Sequence, residues 1–102
     1  MTTPNPNIPT DLLTEFCKRW KITEFSLFGS ILRDDFGPES DVDCLVVFSE
    51  DSAWSLFDIV DMRDELSEIF DGRDIDIVER GAIQNPFRRH SILTTRRIVY
   101  AA

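Results

Sequence analysis

Histidine occurs once in these 102 residues, at His90, and cysteine twice, at Cys17 and Cys44. A lone histidine without partners reads as a surface residue and offers no nucleophile–base pair. The cysteines sit among apolar neighbours and form no Cys-x-x-Cys pair, which excludes a zinc ribbon and argues for two reduced core thiols rather than a disulfide. No apolar run approaches the ~20 residues that a membrane span needs. Residues 1–9 are polar and proline-rich, without a basic start or an apolar stretch, so no signal peptide is expected and the chain reads as cytoplasmic. They are expected to be disordered, with residues 10–102 as a single domain. A domain of this length buries roughly 60–70% of the surface its unfolded chain exposes.

Basic residues are scarce in most of the chain. Residues 1–79 hold six basic and nineteen acidic residues, whereas residues 80–102 hold Arg80, Arg88, Arg89, Arg96 and Arg97 and no acid, for a net charge of −8. The acidic body argues against direct nucleic-acid binding, because phosphate neutralisation dominates that affinity. The basic tail suits phosphates or an acidic partner, or serves to balance the acidic body.

Hydrophobic spacing predicts a helix capped by Thr10, with Leu12, Leu13, Phe16, Cys17 and Trp20 as its buried stripe. Phe25–Phe28 reads as a short strand, broken by Gly29-Ser30, and Ile31 to about Asp35 as a short helix. Asp41–Phe48 is a second strand, with Asp41, Asp43, Leu45 and Val47 on one face. Asp51 or Ser52 is expected to cap a long helix through Phe70, whose stripe includes Leu56, Ile59, Val60, Leu66, Ile69 and Phe70. Gly72 suits the left-handed position that ends it. Asp74–Glu79 is a third strand. Pro86 opens a last helix to about Thr95, before a fourth apolar segment at Ile98–Tyr100. The expected fold is α/β (α+β), a small mixed sheet of three to four strands covered by helices.

Chemistry concentrates in three places. Gly29-Ser30 sits at a helix start, where a backbone free of a side chain, a hydroxyl and an N–H suit a triphosphate oxygen. Arg33, one turn on, reaches a phosphate or the Asp34/Asp35 cluster. After a gap of ten residues come Asp41 and Asp43, which point the same way a few Å apart and repel unless a cation joins them. Mg²⁺ takes one or two carboxylates, several waters and substrate phosphate oxygens, so the pair reads as an incomplete cage that a nucleoside triphosphate completes. Asp76, between Ile75 and Ile77, supplies a third carboxylate if it aligns beside Asp43, and two metals then activate a nucleophile and stabilise leaving diphosphate. Asp74 shares its face by period, so spacing alone does not choose between them.

Taken together, Gly29, Ser30, Asp41, Asp43 and Asp76 resemble the signature of the minimal nucleotidyltransferases of the DNA polymerase β superfamily: Gly-Ser, ten residues, Asp-x-Asp, then a strand with a third acid. The resemblance runs from about residue 12 to residue 100, through Asn85-Pro86 and the Arg-rich helix, with no substitution at a motif position. It implies the polymerase β-like nucleotidyltransferase fold, Asp76 rather than Asp74 as third carboxylate, Mg²⁺ as cofactor and ATP as substrate. It further implies an antitoxin encoded beside a HEPN-domain ribonuclease toxin, in a hetero-oligomer, transferring AMP to a tyrosine of that toxin. Two other readings are a binding module that neutralises its partner by occlusion, and a subunit modifying a small molecule such as an aminoglycoside.

Overall fold

The computed structural model describes residues 8–32, 37 and 40–102. Helix α1 spans Thr10–Arg19, strand β1 Ile22–Phe28, strand β2 Val42–Phe48, helix α2 Leu56–Ile69, strand β3 Ile75–Glu79, helix α3 Pro86–Thr95 and strand β4 Arg97–Ala101. The strands form one mixed sheet in the order β3-β2-β1-β4, with β3 parallel to β2 and the other two pairings antiparallel. Among the described residues no helix is long and apolar enough to cross a membrane.

Alternation along the strands divides the core in two. Phe25, Leu27, Val42, Cys44, Val46 and Ile75 pack under α1 and α2 with Leu13, Phe16, Cys17, Met62 and Leu66. On the other face Phe28, Leu45 and Val78 meet Ile83 and, from α3, Ile92 and Leu93. Burying a large aliphatic or aromatic side chain contributes roughly 1.5–3 kcal/mol, so these two clusters hold the sheet between its helices.

The helices end where local chemistry dictates, and several differ from the sequence expectation. Pro9, not Thr10, precedes the first turn of α1, and no side chain caps it; Ile8 packs against the core just before it. α2 is capped by Ser55 rather than Asp51 or Ser52. The Ser55 hydroxyl accepts from the Asp58 N–H at 3.3 Å while Asp58 accepts from the Ser55 N–H at 2.9 Å, and this reciprocal box outcompetes a cap three residues earlier. At its other end Asp71 takes the left-handed position, φ 59°, and Gly72 follows at φ 85°. The Gly72 N–H then reaches Ser67 O at 2.7 Å, which satisfies a terminal carbonyl.

The α2 stripe is corrected in part: Leu66 and Phe70 are buried and Ile59 and Ile69 pack against the core as expected. Met62 and Leu66 are its buried residues, while Leu56 and Val60 stand exposed, because α2 lies towards the β3 side of the sheet and only part of its surface is covered. Leu12 of α1 is exposed as well, on the surface between α1 and α2. β1 is longer than expected, gaining Ile22–Glu24, and a 3₁₀ turn over Gly29–Leu32 follows it. α3 begins and ends as its sequence indicates, with Pro86 at its start and Asn85 Oδ1 accepting from the Phe87 and Arg88 N–H groups.

Candidate functional site

β1 and β2 bring the Gly29 turn, Asp43 of β2 and Asp41 just ahead of that strand to the same end of the sheet. Phe28, the last residue of β1, pairs with Asp43, so Gly29 begins its turn directly beside that carboxylate. Gly29 has φ +77°, and a Cβ built on it falls onto Asp43 Oδ2, 3.3 Å from Cγ and 3.6 Å from Cβ of that side chain. The absence of a side chain at position 29 is what lets the carboxylate occupy its place. Ser30 follows, and its hydroxyl donates to the Asp41 backbone carbonyl at 3.3 Å, tying the turn to the start of β2.

β3 supplies the other half. Its parallel register sets Asp76 beside Asp43 and Val78 beside Leu45, so Asp76 stands on the face that carries Asp43. Asp74 lies one residue before β3; its carbonyl accepts from the Val42 N–H at 2.9 Å and its side chain is exposed. Asp76 is exposed as well, which answers the cost of an acid between two isoleucines: its face of the strand is wet. Asp41 is exposed just ahead of β2. The thiol of Cys44, on the opposite face of β2, senses the nearby carboxylates. Burial pushes it up strongly, and the charges of Asp43 and Asp76 push in the same direction.

Asp43 and Asp76 are thus gathered, with Asp41 at the mouth. Among the described residues no group of three or more His, Cys, Asp or Glu is drawn together tightly enough to hold a metal by itself. Two adjacent carboxylates fit a cation that keeps waters and takes phosphate oxygens, and the donor set is oxygen only, as Mg²⁺ prefers. Arg33, expected beside the phosphates, and the Asp34/Asp35 cluster lie outside the described residues.

Two features escaped the sequence. Arg73 Nη1 donates to Gly37 O at 2.5 Å and Ser40 O at 3.1 Å, anchoring the segment that leads into Asp41; an arginine in a turn carries no sequence signal of that role. A cleft of about 450 Å³ opens beside Gly29, lined by Phe28, Leu32, Ser91, Ile92 and Thr95, where α3 crosses the sheet. Part of the basic tail is spent internally: Arg96 meets Glu24 at 2.9 Å and Arg80 meets it at 3.5 Å.

Residues 10–99 match the family model described as "Nucleotidyltransferase domain". A Methanocaldococcus jannaschii protein named "putative protein adenylyltransferase" is 35% identical over 75 residues, 74% of each chain. A second protein of that organism and name is 37% identical over 68 residues, covering 67% of this chain and 69% of its own. A solved "putative minimal nucleotidyltransferase" superposes with TM-score 0.70 at 26% identity, over 86% of both chains. A toxin–antitoxin crystallised with AMP-PNP superposes with TM-score 0.73 at 16% identity, over 92% of this chain and 74% of that one, a likeness of fold. The mixed sheet with its three helices is therefore the nucleotidyltransferase fold that the sequence led one to expect.

Proposed function

Because the chain belongs to the nucleotidyltransferase domain family, we propose that it transfers AMP from ATP to a hydroxyl of a partner protein, a tyrosine of a HEPN-type toxin, and acts as that toxin's antitoxin. One observation carries the reading: the β2–β3 register puts Asp76 beside Asp43 while Gly29 yields its side-chain space to Asp43. The names of the Methanocaldococcus jannaschii relatives support transfer to protein, and the toxin–antitoxin likeness supports the partner's class. ATP and a ribonuclease's target both reside in the cytoplasm, where this reading places the pair.

Asp41, Asp43 and Asp76 are the residues that would hold Mg²⁺, one ion or two. When bound, the metal neutralises phosphate charge and lowers the cost of ionising the attacking hydroxyl. Ser30 and the N–H groups of the Gly29 turn receive the outer phosphates, a stronger acceptor than the Asp41 carbonyl that the hydroxyl now meets at 3.3 Å. Asp76 orients the acceptor hydroxyl and takes its proton. The acceptor oxygen forms a bond to the α-phosphorus as the bond to the bridging β-phosphate oxygen breaks, and diphosphate leaves towards Ser30. Arg73 keeps Asp41 in place through Gly37 and Ser40.

The test is the intact mass of the protein encoded beside this chain, expressed with it and incubated with ATP and Mg²⁺. The expected result is a gain of AMP less water on a tyrosine. An unmodified partner that is silenced all the same would replace transfer by occlusion.

A further inference from the structure

β3 is an edge strand, and among the described residues no strand covers its outer side. The Val42 N–H donates to Asp74 O, so the even-numbered residues of β3 turn their backbone groups to β2. Ile75, Ile77 and Glu79 therefore direct theirs outward. Arg63 Nε, from α2, donates to Ile75 O at 3.2 Å on that outer side.

α2 runs along this edge. A cleft of about 580 Å³ lies at one end, lined in part by Leu56, Ile59 and Glu79. Another of about 230 Å³ lies at the other end, lined in part by Val60, Arg63 and Ile75. Beside them Leu56, Phe57 and Val60 are 83%, 85% and 51% exposed. The Ser55–Asp58 capping box fixes this turn, so their exposure is built in rather than a frayed end. Bare edges and clustered exposed apolar side chains favour aggregation unless something covers them. Exposed acids surround the surface, Asp61, Asp64, Asp74 and Glu79; the arginines near them are engaged within the chain, Arg63 by Ile75 O, Arg73 by Gly37 O and Ser40 O, Arg80 by Glu24 and Arg89 by Arg80 O.

We propose that the outer edge of β3 and the first turns of α2 dock an extended, apolar and basic segment of the acceptor protein as an added strand. The inference rests on the reading that the chain modifies a protein. Its charge follows from the acids around the edge, and its extended form from the outward amides of Ile77 and Glu79. The geometry also serves transfer. A residue of the added strand opposite Asp76 points to the same face, with Cβ atoms roughly 4.5–5.5 Å apart. That residue, or one two places along the added strand, brings a hydroxyl to Asp76 on the face that also carries Asp43.

Amide exchange, followed by NMR on the chain alone and bound to the protein encoded beside it, tests this. Ile77 and Glu79 N–H groups should exchange at least about tenfold more slowly in the complex, while Asp76 and Val78, facing β2, are slow in both. Exchange at Ile77 that stays fast in the complex overturns the proposal. So does protection already present in the lone chain and lost on dilution, which would mean that a second copy covers the edge. Phe57→Asp, at an exposed position, should weaken partner binding by about tenfold or more, as hot-spot losses do, with ATP affinity of the lone chain unchanged. Unchanged partner binding also overturns it. A wild-type complex that protects Ile77 yet leaves no AMP on the partner defeats the transfer reading and leaves the docking surface standing.

Discussion

Replacing Gly29 by alanine separates the two demands that the turn makes on that position. The first is conformational: φ of +77° costs an L-residue about 1–2 kcal/mol. The second is spatial, because the new methyl lands on Asp43 Oδ2 and within 3.3 Å of its Cγ. To restore ordinary contact the carboxylate must withdraw by about 1 Å, and a misplacement of that size costs about 10²-fold in rate. Gly72→Ala provides the control. Gly72 is equally left-handed, with φ +85°, but a Cβ there meets nothing within 4 Å. Urea denaturation should show both variants less stable by about 1–2 kcal/mol. AMP transfer should fall about 10²-fold only in Gly29→Ala. Near-normal transfer by Gly29→Ala, or an equal loss in Gly72→Ala, would refute the argument that Gly29 exists to make room for Asp43.

Asp76→Asn should lose transfer by about 10²–10³-fold while keeping ATP binding, and Asp74→Asn should change neither; the reverse pattern in paired rate and calorimetric assays would shift the third carboxylate to Asp74. The hydrogen bond from Arg19, with one from Trp20, holds the Glu65 carboxyl below its ordinary value. Its stabilising contribution is therefore present above the ordinary carboxylate range and lost as pH falls through the depressed value. Glu65→Gln should flatten that acid limb in unfolding curves, and an unaltered limb would contradict the pairing. Burial pushes the Cys17 thiol up to about 12, so folding favours the neutral form and stability declines as pH rises from the ordinary thiol value of 9.0 towards it. Native chain at pH 8 should resist iodoacetamide at Cys17 and Cys44, and rapid alkylation of either would show that the core is open.

How far the sequence could be read follows from which interactions are local. α3 was legible to its ends because Asn85 and Pro86 settle the start of a helix by themselves. The start of α2 was not, since Asp51, Ser52 and Ser55 all cap well in isolation; Asp58 at the third helical position is what decides for Ser55. Its buried stripe is legible in Ile59, Leu66, Ile69 and Phe70 but not in Leu56 and Val60, because periodicity assumes a full layer beneath the helix and these two stay uncovered beside the sheet edge. At the site, spacing alone suggests Asp41 and Asp43 on one strand face, whereas β2 begins at Val42 and leaves Asp41 just ahead of it. It left Asp74 and Asp76 equivalent, because both have the same period and only the pairing of β3 with β2 distinguishes them. The approach of Gly29 to Asp43 and the grip of Arg73 on Gly37 and Ser40 join residues far apart in the chain, which no local pattern records.

The most direct test of the central claim uses ATP labelled separately at its α- and γ-phosphates, with the wild-type chain, Asp43→Asn, and the partner encoded beside them. The account predicts that the α-label alone enters the partner, that it resides on tyrosine, and that Asp43→Asn transfers none. Entry of the γ-label, or α-label transferred equally well by Asp43→Asn, would contradict it.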